Sequence, residues 1–282
     1  MRRIGRAILG LFATGFACAA FMYLSLPDVR SLRASNPETT AFIELRSREA
    51  RARGEQPRRV QRWVSYARIS SNLKRAVLVA EDSAFWTHDG VDYDQLKESM
   101  EVNLERMEFA RGGSTITQQL AKNLYLSPSK NPFRKVRELL IARQLEAVLS
   151  KQRILELYLN VIEWGDGIYG AEAAARTYFR KPAADLTAEE SALLAAAIVN
   201  PRVHDPGHPT ARLRRRQQMV MRRMRAVTPP PVIAVTPPPV DPERPDVAPV
   251  PELSEPVGAP SALPGEAIPS PKGPGGSIPN RP

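Results

Sequence analysis

Cysteine is almost missing from this chain. Cys18 is the single one among 282 residues, so neither a disulfide framework nor a thiolate metal site supports the fold. The three histidines, His88, His204 and His208, have no zinc-ligand spacing with flanking cysteine or acidic residues. No G-x-x-x-x-G-K-[ST] segment occurs, so nucleotide hydrolysis is not implied. Alternating β-branched runs are nearly absent, which argues against a β-rich body. Acidic residues are in deficit, 30 against 40 Lys and Arg for a formal charge of +10. Partners should therefore be anionic, and charge alone does not choose among nucleic acid, lipid head groups and phosphorylated substrates.

What is present divides the chain into unequal parts. The length allows one sizeable globular domain plus extensions. Residues 7–26 form a 20-residue run without a charge, preceded by Arg2, Arg3 and Arg6. The run is long enough to cross a bilayer as a helix, and the positive-inside rule puts residues 1–6 in the cytoplasm and the body outside. A cleaved signal peptide is the competing reading, with small residues at Ala17-Cys18-Ala19, although the run exceeds its usual apolar core. Residues 27–62 are polar and Arg-rich and read as a juxtamembrane stalk, held to anionic lipid or simply solvated. Residues 63–227 carry apolar side chains at three-to-four spacing, so the expected fold class is mainly α. Within them, Thr187 and Glu190 form a capping-box pattern and Pro201 ends a helix over residues 186–200. Residues 228–282 hold 18 of the 27 prolines, a composition that cannot build a packed core and reads as a disordered tail.

Three segments of the body put polar residues where helix periodicity predicts apolar ones, and such mismatches point to function. In the first, Leu73, Val77, Leu78 and Ala80 run into Glu81 and Asp82. A carboxylate at the end of an apolar helix is partly desolvated, which raises its proton affinity as a general base requires; pairing with an arginine is the alternative. In the second, Arg111 is followed by Gly112, Gly113, Ser114, Thr115, Ile116, Thr117, Gln118 and Gln119, with Lys122 beyond. Ser114, Gln118 and Lys122 stand at i, i+4 and i+8, one helical face. The glycines allow close backbone approach at a helix start whose free N–H groups favour an anion, and the expected ligand is a phosphate or diphosphate. In the third, Glu138 shares a stripe with Ile141, Ala142, Leu145 and Leu149, among Arg134, Lys135 and Arg137. Spacing alone favours a structural carboxylate paired with Arg134 one turn earlier over a chemical one.

Taken in order, these segments resemble the family 51 glycosyltransferases, in particular their monofunctional peptidoglycan transglycosylases, over residues 63–225. The first motif, E-D-x-x-F-x-x-H-x-G, is met by Glu81, Asp82, Phe85, His88 and Gly90. The second, G-G-S-T-I-T-Q-Q, is met from Gly112 to Gln119, and the third, R-K-x-x-E, by Arg134, Lys135 and Glu138. The fourth, similar to K-x-x-I-x-x-x-Y-L-N, is met by Lys151, Ile154, Tyr158, Leu159 and Asn160.

The resemblance implies a lysozyme-like helical fold beside a membrane. It also implies transfer of a growing glycan from undecaprenyl diphosphate onto another lipid-linked disaccharide (lipid II), giving a β-1,4 strand for the cell wall. By motif position Glu81 is the general base, and Glu138 assists at the diphosphate, with a divalent cation (Mg or Mn) as an optional helper near it. Ser114, Gln118, Lys122, Lys130, Arg134 and Lys135 hold the diphosphate. Asp82, Phe85, His88, Gly90, Gly112, Gly113, Thr115, Gln119 and Asn160 support the motifs. Implied partners are lipid II, the glycan strand, the inner membrane and other wall-synthesis proteins, not nucleic acid. Ser127 and Lys130 match S-x-x-K, but S-D-N and K-T-G are missing, so no transpeptidase is expected. Two rivals remain: a lysozyme-like hydrolase or lytic transglycosylase, which needs no diphosphate cradle, and a non-catalytic membrane scaffold.

Overall fold

The structure is a computed structural model that describes residues 2–94, 96–99, 113–126 and 132–226. Gly112, Lys130 and the proline-rich segment 228–282 lie outside the described residues. Helix α1 (Arg2–Leu24) carries the N-terminal apolar run. Among the described residues no helix is long and apolar enough to cross a membrane, so the expected anchor is not shown, although Leu11, Phe12 and Phe16 on α1 are exposed.

Helix α2 (Ala41–Ala52) starts at Thr40, whose side chain accepts the Ile43 N–H. Residues 27–62 thus differ from the stalk expected of them. Val29, Leu32 and Ile43 are buried, and Arg153 donates to the Leu32 and Ser35 carbonyls and to Asn36. The basic residues of this stretch are partly used inside the protein, Arg46 pairing with Glu49 and the buried Glu163. Polarity hid this packing, because a few well-spaced apolar residues suffice to bury one face of a short helix.

The body is helical, as expected. Helix α3 (Ser71–Glu81) is capped by Ser70, which accepts from the Asn72 N–H, and buries Leu73, Ala76, Val77, Leu78 and Val79. Helix α4 (Ile116–Tyr125) follows Thr115, whose hydroxyl accepts the Gln118 N–H. Helices α5 (Pro132–Val148) and α6 (Lys151–Val161) adjoin it, α6 capped by Ser150. Helix α7 (Ala171–Phe179) precedes α8 (Ala188–Ala197), where the capping box of Thr187 and Glu190 forms as its sequence pattern predicts. Helix α9 (Ala211–Ala226) closes the described body and packs on α3 and α8. Phe85, Tyr158, Trp164 and Tyr169 are the largest side chains shut away from water.

Short strands also form a three-stranded sheet that helical periodicity gave no sign of. Strand β1 (Val60–Gln61) pairs parallel with β3 (Ile168–Tyr169), which pairs antiparallel with β2 (Glu163–Gly165). Strands of two or three residues are too short to show an alternation.

Asn160 ties this sheet region to α6. Its Nδ2 donates to the Val64 and Glu156 carbonyls and its Oδ1 accepts the Val64 N–H, while its own carbonyl accepts from Gln61. It is fully buried, and its bonds go to Gln61, Val64 and its own helix, so its motif position reflects architecture. Asn160→Ala strands the Val64 N–H and C=O, and thermal unfolding should show a loss of about 3 kcal/mol.

Candidate active site

The site is built where α3 ends and α4 begins. Asp82, the residue after α3, is 1% exposed. One of its oxygens accepts the Ile116 N–H at 2.9 Å, and both face His88 Nε2 at 3.0 Å. The Gly90 N–H donates to His88 Nδ1 at 3.1 Å, so the ring proton sits on Nε2 and points at Asp82. The first N–H of α4 is therefore taken by Asp82 and the third by Thr115 Oγ1. This corrects the expectation of a ligand anion at that helix start, because the anion drawn to the helix dipole belongs to the chain itself.

Gly90 completes the turn. It adopts φ +84°, and its carbonyl accepts from Thr115 Oγ1 at 2.7 Å and Gln118 Nε2 at 3.3 Å. Phe85 fills the space beneath the turn, edge-on to Trp86 and His88. Lys151 reaches over the Phe85 ring, donates to the His88 carbonyl and pairs with Glu146 at 2.8 Å. Thr117 also donates to Glu146, at 2.6 Å.

Glu81 sits next to this turn as the last residue of α3. It accepts a hydrogen bond from Gln119 Nε2 at 2.9 Å. Desolvation by burial raises its pKa; the Gln119 hydrogen bond and the charges of Arg216 and Lys122 oppose that rise. Gln119 in turn accepts from the hydroxyl of Tyr158 at 2.9 Å.

The second carboxylate, Glu138 on α5, is 3% exposed and held by two cations. Arg134 donates to one oxygen at 3.0 Å and Lys135 to the other at 2.5 Å. The ion pair that its spacing suggests is formed, with Lys135 added. Lys135 also donates to Ser114 Oγ and Gln118 Oε1, each at 3.2 Å. Ser114 precedes the α4 cap, so the helical face expected of Ser114, Gln118 and Lys122 is replaced by this convergence on Lys135. Gln118 is buried, with both ends of its amide bonded inside the protein, so it braces Lys135 from behind.

Lys122 stands within electrostatic reach of both carboxylates. The protein crowded around it lowers its pKa, and the nearby Arg134 and Lys135 add to this while Glu138 opposes it. Gly113 approaches Ser99, where a Cβ would meet the hydroxyl at 3.2 Å.

Glu138 does not fit a protein-held divalent cation. Both its oxygens face cationic side chains, and among the described residues no group of three His, Cys, Asp or Glu could hold a metal ion. A small, open pocket lies elsewhere, lined by Arg46, Arg53, Glu163 and Arg202 among others, and includes none of the motif residues.

The transglycosylase family model matches residues 48–225. The chain belongs to the transglycosylase family. Among its relatives, the biosynthetic peptidoglycan transglycosylase of Laribacter hongkongensis is 48% identical over 197 residues, 70% of this chain and 86% of that protein. Proteins of the same name from Dechloromonas aromatica and Aromatoleum aromaticum are 47% and 52% identical. Those alignments cover 69% and 60% of this chain, and 84% and 74% of the relatives.

Gly90→Ala places a Cβ 3.1 Å from Glu146 Cγ in a backbone conformation that L-residues avoid. Thermal unfolding should report a loss of about 1–2 kcal/mol or more.

Proposed function

We propose that this chain is a peptidoglycan glycosyltransferase that polymerises lipid II into β-1,4 glycan strands with release of undecaprenyl diphosphate. The observation that carries the reading is the pairing of a desolvated carboxylate, Glu81, with the cation cluster of Lys122, Arg134 and Lys135. A general base and an anion cradle are the two things that such a transfer requires.

Glu81 takes the proton from the acceptor 4-hydroxyl as its oxygen attacks the donor's anomeric carbon. The bond from that carbon to the diphosphate oxygen breaks, and the diphosphate leaves with the electron pair. Attack from the face opposite an α-linked diphosphate gives the β product in one displacement. Burial raises the proton affinity of Glu81, and the Gln119 hydrogen bond and the nearby cations partly offset that rise. Lys122, Arg134 and Lys135 stabilise the developing diphosphate charge, with Ser114 beside Lys135 and Lys130 in the same segment. Glu138 acts by holding Arg134 and Lys135 in place.

The same reading gives the protein a single-pass anchor at α1 in the bacterial inner membrane, with a lysozyme-like catalytic body on the periplasmic side. The uncharged run 7–26, the arginines before it and the exposed apolar side chains of α1 support this. Arg137, on α5, donates to the Ser25 hydroxyl and carbonyl just beyond α1, which would hold the catalytic helices close to that anchor.

The test is gel analysis of products from lipid II. Wild type should give a ladder, and Glu81→Gln should lose roughly 10²–10⁴-fold in rate. Glu138→Gln should lose less, because its cations remain. Release of sugar from preformed strands, with lipid II left untouched, would contradict the synthase reading in favour of a hydrolase.

A further inference from the structure

Resting on the reading of Glu81 as general base, we propose that Tyr158 is a positioning residue that acts through Gln119 to aim an N–H donor at the Glu81 carboxylate. Three groups form a line: Tyr158 OH to Gln119 Oε1 at 2.9 Å, then Gln119 Nε2 to Glu81 Oε2 at 2.9 Å.

The argument turns on the two ends of an amide. Gln119 can present either its carbonyl or its NH₂ group to Glu81, and a carbonyl oxygen facing an ionised carboxylate is repulsive. Tyr158 is fully buried on α6, and Gln119 is the partner of its hydroxyl. A buried hydroxyl must be bonded, and by donating to Oε1 it leaves Nε2 as the end that faces the carboxylate. Donation into the carbonyl also polarises the amide and strengthens its N–H as a donor. Burial, followed by the nearby charges of Glu81 and Asp82, raises the Tyr158 pKa well above that of a free tyrosine, so the hydroxyl keeps its proton. Asn123 Nδ2, bonded to the Gln119 carbonyl on the main chain at 2.8 Å, braces the same turn of α4.

The consequence has a sign. Burial pushes the Glu81 pKa up and the Gln119 N–H pulls it down, and only the ionised carboxylate can accept a proton. Loosening Gln119 therefore moves the acid limb of the pH–rate profile to higher pH.

The experiment is the pH dependence of kcat on lipid II for wild type, Tyr158→Phe, Gln119→Leu, the double variant and Glu81→Gln, with thermal midpoints alongside. Tyr158→Phe keeps the ring and removes only the hydroxyl. Its acid limb should move up by about one unit, with a fall of about tenfold in kcat below the limb. Gln119→Leu, at a half-buried position, should show at least the same shift, and the double variant, which also removes the hydroxyl that leucine strands, should match Gln119→Leu in its limb. A Tyr158→Phe limb that superimposes on wild type, with only the thermal midpoint lowered, would overturn the proposal while an inactive Glu81→Gln left the base assignment standing. Shifts that add in the double variant would overturn it too, since Tyr158 would then act by another route. Should Tyr158→Phe not fold, an unmoved limb in Gln119→Leu has the same force. Wild-type rate in Glu81→Gln would remove the base reading and the proposal with it.

Discussion

The carboxylate of Asp82 is the interaction on which the rest of the site depends. It is an ion shut away from water, and such a group is tolerated only when donors surround it. Here the donors are the first N–H of α4, the ring of His88 and, through that ring, the Gly90 backbone. Losing a hydrogen bond to a buried charge of this kind costs roughly 1.5–3 kcal/mol, so the end of α3 and the start of α4 are not free to move apart. Glu81 is carried on one side of that joint, and Gln119 and Lys122 on the other. The base and its modulators therefore keep their spacing without any direct covalent tie.

The second half of the site follows a different logic. Glu138 is likewise buried, but its partners are Arg134, one turn away on the same helix, and Lys135. Lys135 is the hub: it touches Glu138, Ser114 and Gln118, joining α5 to the segment that leads into α4. Three cations against one structural carboxylate leave an excess of positive charge around Glu138, and Lys122 carries it within electrostatic reach of Glu81. A lipid diphosphate would neutralise it, and its charge grows during bond breaking, so the attraction is stronger in the transition state than before it.

Much of this was legible in the sequence. Apolar spacing announced a helical body, and the capping box of Thr187 and Glu190 forms as its pattern requires. The motif order alone marks Glu81, Ser114, Gln118, Gln119 and Glu138. What could not be read is what each polar group faces. Helix-dipole reasoning rightly put an anion at the start of α4, yet could not tell a ligand from Asp82, which lies 34 residues away in the chain. Gln118 and Asn160 looked like site residues because they are polar and sit within motifs, whereas their bonds go to the protein's own backbone and to Lys135. Tyr158 drew no notice beyond its motif position, since a tyrosine on an apolar helix face reads as core until its hydroxyl is seen on Gln119. Strands of two residues and a polar segment that packs by a few apolar side chains carry too little periodic signal to be seen.

The most direct test of this account is polymerisation of lipid II by Asp82→Ala, measured with its thermal midpoint and helical circular dichroism. The variant keeps Glu81, Gln119 and the whole cation cluster, and removes only the joint between α3 and α4. The account predicts a folded but less stable protein whose rate falls by about a hundredfold, the scale expected when catalytic groups drift by an ångström. A folded Asp82→Ala protein polymerising at the wild-type rate would show that Asp82 does not hold the site together.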